Sequence, residues 1–176
     1  LPELDCAIVG EPTLMQLAVA EKGLLVLDVK VKGTPSHAAH QNNDSAIYKT
    51  LPIIEWFKNH TYDKISEQLG PVKMTVTQIN AGSQHNVVPP ECSLVVDIRV
   101  NDCYTNEEIL KVVKENVTAE ITPRSMHLNA SSIPVAHGLV RAAIALGRTT
   151  YGSPTLSDQS VLSCKSLKLG PGETLR

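Results

Sequence analysis

Four stretches of the sequence hold residue types suited to chemistry. In Val9-Gly10-Glu11-Pro12-Thr13 a carboxylate follows a short apolar run, and the carboxyl end of a buried parallel strand is where α/β enzymes place ligands. Pro12 biases Glu11 toward extended backbone, which fixes the direction of its side chain. Gly33-Thr34-Pro35-Ser36-His37-Ala38-Ala39-His40 sets His37 among small residues that let a substrate or another backbone come close. Its His-x-x-His pair has no Cys, Asp or third His at close ligand spacing. The loop Gly82-Ser83-Gln84-His85-Asn86-Val87-Val88-Pro89 leads into a strand ending in Asp97-Ile98-Arg99. Asn86 and Arg99 could together hold a carboxylate, because a guanidinium offers a planar two-donor fork. The last stretch joins Ser157-Asp158 with Gly170-Pro171-Gly172-Glu173. It is no phosphate loop, since the spacing and the Lys-Ser/Thr are missing. No G-x-S-x-G elbow supports a serine hydrolase either. Taken singly, these stretches also fit a solvated turn glutamate, a surface loop histidine, and a hairpin turn with an exposed sheet-face arginine.

The elements that must carry these residues fall into two kinds. Asp5-Cys6-Ala7-Ile8-Val9, closed by Gly10, is a continuous apolar run of the type buried on both faces of an α/β sheet. From Leu24 the pattern alternates. Leu25, Leu27, Val29 and Val31 share one face, and the same alternation recurs at Val72, Met74 and Val76 and at Leu94, Val96, Ile98 and Val100. A helix is expected over 44–59, with an apolar stripe at Ile47, Leu51, Ile54 and Phe57 or Lys58 and a kink at Pro52. Thr105-Asn106-Glu107-Glu108 reads as a capping box opening a second helix with its stripe at Ile109, Val112, Val113 and Val117. A strand follows near 119–128, interrupted by Pro123. The order β-α-β-β-α-β is that of a ferredoxin-like sandwich, four antiparallel strands with two helices on one face. After Asn129 the pattern reverts: Pro134 opens a helix that Gly147 can close, and a strand over 166–169 runs into Gly170-Pro171-Gly172. The fold class is therefore α/β and α+β, with the sandwich inserted into a partial α/β domain.

Composition narrows the function. Of 176 residues, 42% are hydrophobic and 19% charged, enough for a buried core and too few charges for a disordered tail. A net charge of −2 with no basic block leaves no footprint for nucleic acid or an anionic membrane. No apolar run approaches the ~20 residues of a membrane span. The opening Leu1-Pro2-Glu3-Leu4-Asp5 lacks the basic region of a signal peptide, and the chain is expected to be a piece of something longer. Cys6, Cys92, Cys103 and Cys164 show no C-x-x-C spacing and are expected as free thiols in a reducing cytoplasm.

The order of the motifs is more specific than any one of them. Gly-Glu-Pro-Thr, Lys22-Gly23, Gly-x-x-x-His-Ala-Ala, Asn-Val-Val-Pro-Pro, Asp-Ile-Arg, Ser-Asp-Gln and Gly-Pro-Gly, in that succession, resemble the zinc-dependent aminoacylase family. That family includes acetylornithine deacetylase and succinyl-diaminopimelate desuccinylase, and the resemblance covers essentially the whole chain. It implies a lid and dimerisation domain over 17–128, flanked by catalytic-domain fragments at 1–16 and 129–176, with homodimerisation through the lid. It implies that Glu11 is a terminal zinc ligand, and that His37 reaches into the partner subunit's site to polarise the scissile carbonyl. Asn86 and Arg99 match positions that contact the substrate carboxylate, and Ser157-Asp158 a substrate-side loop, although Gln159 and Ser160 stand where the family has Arg. The family's His-x-Asp motif, its Glu-Glu pair and its last histidine ligand have no match here; His40, His60, His85, His127 and His137 do not replace them.

For an intact enzyme the resemblance implies a cytoplasmic amidohydrolase acting on a small N-acyl amino acid, most like the acetylornithine-type deacylases of arginine biosynthesis. Its cofactor would be two zinc ions, with cobalt as an alternative. The resemblance implies that the metal ions would activate a water and polarise the carbonyl, that a Glu with no match here would move the proton, and that His37 would stabilise the oxyanion. The rival reading is a dimerisation module with no chemistry of its own.

Overall fold

The computed structural model describes residues 4–173; the readings made on residues 1–3 and 174–176 lie outside them. In chain order the elements are β1 (Cys6–Val9), β2 (Leu17–Glu21), β3 (Gly23–Lys32), β4 (Ser36–His37), α1 (Ala46–Asn59), β5 (Lys73–Ala81), β6 (Val87–Val88), β7 (Glu91–Val100), α2 (Asn106–Asn116), β8 (Glu120–Pro123), β9 (Ser131–Ser132), α3 (Gly138–Ala145), β10 (Thr150–Ser153) and β11 (Lys165–Lys168). A 3-10 turn, Asp158–Val161, precedes β11.

The expected sandwich is present. Its sheet has the order β5-β7-β3-β8 and is antiparallel throughout, with α1 and α2 as the two crossings. The alternation works as it should: Leu25, Leu27, Val29 and Val31 of β3 meet Leu94, Val96, Ile98 and Val100 of β7 in a core closed by Ile53 and Phe57 from α1 and Ile109 and Val113 from α2. The Thr105–Glu108 capping box forms in both directions, at 3.2 and 2.8 Å. β8 is shorter than expected and ends at Pro123, which a sheet tolerates only at an edge.

α1 differs from expectation. It runs through Pro52 without a break, and it buries Ala46, Thr50, Ile53 and Phe57. Two apolar stripes one residue apart compete on this helix, and the sheet takes the one containing Phe57. Thr50 is admitted because its hydroxyl bonds the Ala46 carbonyl at 2.8 Å. Ile47, Tyr48 and Leu51 are left on the surface, the last two 72% and 57% exposed.

The second sheet has the order β1-β11-β2-β10, with β9 on β2. β1 and β11 are parallel, β2 runs against β11, and β10 runs with β2. The sequence pattern did not disclose β2 or β10. Leu17–Glu21 is buried at every position and so shows no alternation. Its bonds lie within the second sheet, so the chain passes between sheets at Lys22, beyond the expected 16/17 boundary. α3 begins at Gly138 with His137 as its cap, four residues later than Pro134 suggested.

A turn between α1 and β5 ties the sheets together. Ser66 and Gly70 exchange backbone bonds at 3.1 and 2.9 Å, and the buried Asn101 amide donates to Gly70 and Lys64 carbonyls at 2.8 and 3.1 Å. Lys22, whose ammonium is pushed below its ordinary value by burial and by Lys73, donates to the Pro71 carbonyl at 2.6 Å. The turn rests on β10 at Gly152, where a Cβ would stand 1.9 Å from the Gln68 carbonyl oxygen. Gly152→Ala must therefore shift backbone, and its expected cost is about 1–3 kcal/mol, or roughly 2–10 °C in melting temperature. Gly138→Ala, where a Cβ meets nothing within 4 Å, is the control and should not lower it. Calorimetry of the two variants checks this, and a Gly152→Ala melt equal to wild type would show that the turn does not press on β10.

Candidate functional site

Gly33 ends β3 where a side chain cannot fit, since a Cβ would lie 2.4 Å from the Asp44 carbonyl oxygen. The loop after it folds back tightly and is pinned along its length. Asn42 donates to the Thr34 carbonyl and the Ser36 hydroxyl at 2.8 and 2.7 Å, and Thr34 donates to the Asp44 carboxylate at 2.8 Å. Lys49 reaches back to the same Asp44 carboxylate at 2.7 Å, which holds that carboxyl below its usual range together with Thr34. Asn42 and Asp44 were not singled out as site residues from the sequence, although Asn42-Asn43-Asp44-Ser45 ahead of a helix is a recognisable turn-and-cap signal.

This loop presents β4, which pairs with β6 as a separate two-stranded ribbon: Ser36 opposite Val88 and His37 opposite Val87. The Asn86 carbonyl accepts the Ala38 N–H at 2.9 Å, so His37 and Asn86, 86 − 37 = 49 positions apart, become neighbours. His37 is exposed, and its Nδ1 accepts the Ala39 N–H at 3.1 Å. A neutral His37 must then carry its proton on Nε2 and offer an N–H outward. Beside the ribbon a cavity of about 340 Å³ opens between Asn42, Tyr48, Val87 and Pro89. His40 sits with its ring 5.8 Å from that of His37.

Arg99 lies elsewhere. It pairs across β7 with Leu24 and Lys73, at the end of the sheet nearest the crossing to β2, whereas the ribbon adjoins the start of β7. Arg99 stands eight positions beyond Glu91 on the strand, roughly 26 Å at about 3.3 Å per residue. Asn86 and Arg99 of one chain are not brought to a common point. The Arg99 fork closes on Asp97, with Nε to Oδ1 at 2.8 Å and Nη2 to Oδ2 at 3.0 Å.

Glu11 follows β1, beside Gly170; its own backbone would meet a Cβ there at 2.5 Å. Thr13 clamps the two loops with a reciprocal pair of bonds to Gly170, at 3.3 and 3.1 Å. The Glu11 carboxylate has no partner among the described residues. Ser157 is turned inward, its hydroxyl donating to Glu21 at 2.7 Å, and Asp158 is exposed. No three His, Cys, Asp or Glu side chains among the described residues gather as a metal site, and His60 and His137 serve as helix caps. All four cysteines are unpaired, and no helix among the described residues is long and apolar enough to cross a membrane.

The His37 tautomer is open to direct measurement. Long-range ¹H–¹⁵N correlation spectra of the neutral ring should show a proton on Nε2 and none on Nδ1. A spectrum of the opposite tautomer would mean that the Ala39 bond does not hold the ring.

The peptidase dimerisation domain family matches residues 19–124. A succinyl-diaminopimelate desuccinylase of Orientia tsutsugamushi is 28% identical over 142 residues, covering 75% of this chain and 36% of the relative. A LysW-lysine/LysW-ornithine hydrolase of Saccharolobus solfataricus is 30% identical over 146 residues, covering 78% and 39%. The chain thus spans little more than a third of the length of these relatives. Among solved structures, a tripeptidase from Staphylococcus aureus superposes with a TM-score of 0.73 at 17% identity, covering 99% of this chain and 51% of that one. A dinuclear metal-binding peptidase of the M20 family from Bacillus subtilis gives 0.65 at 13%, covering 97% and 49%. At these identities the likeness to the two solved structures is one of fold. With the sandwich formed and residues 19–124 matched, the chain belongs to the M20 peptidase dimerisation-domain family.

Proposed function

We propose that this chain is the dimer-forming part of a zinc-dependent hydrolase that removes an acyl group from a small N-acyl amino acid. The lid would be the expected segment up to 128 but starting at the crossing at Lys22, with β2 left to the catalytic-domain fragment before it and 129–176 to the one after. The observation that carries the reading is the separation of the candidate residues: His37 and Asn86 stand together at one end of the lid sheet and Arg99 at the other. One active site that uses all three needs two chains. His37 and Asn86 then serve the partner's site while Arg99 serves its own.

The roles follow from the donors. His37 offers an outward Nε2–H to the carbonyl oxygen as negative charge develops on it. Asn86 adds amide donors from the same ribbon. Arg99 has two of its five N–H groups on Asp97, which fixes the guanidinium plane and leaves three for a substrate carboxylate. Glu11 by itself does not make a metal site, because a catalytic zinc needs about three protein ligands. Its partner ligands would come from outside these residues. The 176 residues alone are therefore expected to act as a dimerisation module without turnover.

The dimer surface we assign is α1 with β5. β5 is the long open edge of the sheet, with Ile79 55% exposed, and α1 lies over it with Ile47, Tyr48 and Leu51 facing out. The opposite edge, β8, is four residues long and stops at Pro123. A two-fold pairing of β5 edges would satisfy the unpaired backbone and cover the apolar helix face with one self-complementary surface. Light scattering at tens of micromolar should give a dimer for this chain and a monomer for Tyr48→Glu/Leu51→Glu. A dimer that survives both substitutions would place the interface elsewhere.

The shared site is tested by mixing two inactive variants of the complete protein. His37→Ala and Arg99→Ala homodimers should each lose about 10²–10³ in rate. Their heterodimer regains one intact site, so random mixing should restore about a quarter of wild-type activity. No recovery despite proven heterodimers would mean that the two residues act from the same chain. N-acetylornithine and N-succinyl-diaminopimelate are the substrates to compare, since they separate the acyl groups.

A further inference from the structure

The most deeply buried charges among the described residues belong to no step proposed above. Glu21, at the end of β2, is 0% exposed, and Lys168, at the end of β11, is 3% exposed. The Lys168 ammonium lies 2.9 Å from Glu21 Oε2 and donates also to the Ser153 hydroxyl at 3.0 Å and the Thr155 carbonyl at 2.7 Å. The same Oε2 accepts the Ser157 hydroxyl at 2.7 Å, while Oε1 has no partner. Beyond Ser157 the network continues into the 3-10 turn. Gln159, itself buried, donates its backbone N–H to the Ser157 hydroxyl at 3.3 Å and its side-chain amide to the Ser166 hydroxyl at 3.1 Å.

An apolar pair of similar volume would be at least as stabilising here, because burying two charges costs more desolvation than their attraction easily returns. The unpartnered Oε1 adds to that cost. What an apolar pair cannot do is accept the Ser157 hydroxyl. We propose that Glu21, oriented by Lys168, is a positioning residue for the turn Asp158–Val161: it holds Ser157 inward and so makes Asp158 the side chain this turn offers to a ligand. The contact available is then a carboxylate, suited to an ammonium or amide N–H of the substrate and not to its carboxylate. This rests on the reading of the Ser157-Asp158 loop as substrate-side. The positioning itself can be measured without a substrate.

Hydrogen exchange and thermal melts of the 176-residue chain separate support from positioning. Glu21→Leu, which removes the acceptor and leaves the Lys168 ammonium buried without its carboxylate, should lower the melting temperature and speed exchange at the Gln159, Ser160 and Leu162 amides by roughly tenfold or more, with β3 and β7 amides unaffected. Glu21→Leu/Lys168→Met, which keeps an apolar pair in the same space, should return the melt to near wild type but leave those three amides fast. Turn protection that returns with the melt, or that never falls in Glu21→Leu, would overturn the proposal. In the complete protein, Asp158→Asn and Glu21→Leu/Lys168→Met should raise KM for the N-acyl amino acid with little change in kcat. If the turn loosens as described but Asp158→Asn leaves KM unchanged, the positioning stands and the substrate-side reading of the loop falls.

Discussion

Gly23 lies opposite Val100 and Lys32 opposite Glu91, and the residues between keep that register without a bulge. This ladder between β3 and β7 sets the place of every side chain discussed. A slip of one residue would turn Leu25, Leu27, Val29 and Val31 to solvent and empty the core against α1 and α2, so the register is held by the burial of both strands' apolar faces. The same register leaves Asp97 and Arg99 on the uncovered face, two residues apart and close enough to pair. It also fixes the span between the two ends of the sheet. The His37 ribbon grows from one end, where Gly33 donates to the Pro90 carbonyl, and Arg99 stands at the other.

That span is a physical argument for a two-chain site. A sandwich with ends this far apart cannot fold its own ribbon onto its own Arg99 without breaking the ladder. In the proposed pairing, two sandwiches joined at the β5 edge would extend the sheet instead, and would carry each ribbon away from its own flank toward that of the neighbour. The exposed stripe of α1 fits the same geometry, because the helix buries one of its two apolar faces in its own core and keeps the other beside the open edge.

The second sheet is held differently. Its strands are short, its apolar cluster is small, and several of its buried positions are polar: Glu21, Lys168, Gln159, Ser153 and Ser166. Hydrogen bonds have direction where apolar contacts do not, so this interior specifies where the following loops point at some cost in stability. The sandwich and this sheet are kept in one relative pose by the Ser66–Gly70 turn, the Lys22 ammonium and the side-chain-free surface of Gly152.

The sequence by itself determined the sandwich. Strict alternation over β3 and β7, the Thr105–Glu108 box and the Gly-x-x-x-His-Ala-Ala and Asn-Val-Val-Pro motifs are local signals, and each concerns residues within about one strand or helix of each other. His37, Asn86, Arg99 and Glu11 could be nominated for the same reason: residue type and neighbouring backbone are visible in one dimension. Only the tertiary structure decided which of them meet. β2 escaped notice because a strand covered on both faces has no period, and β10 because Thr-Tyr-Gly-Ser holds no apolar run; the partners of both lie far along the chain. The choice between two apolar faces of α1 was made by the sheet beneath it, not by the helix. Likewise nothing next to Ser157 tells that its hydroxyl will be taken by Glu21, a residue 136 positions away, nor that the Arg99 fork will close on its own strand. Those outcomes depend on which polar groups are shut away from water together, and that is settled only when the sheets have formed.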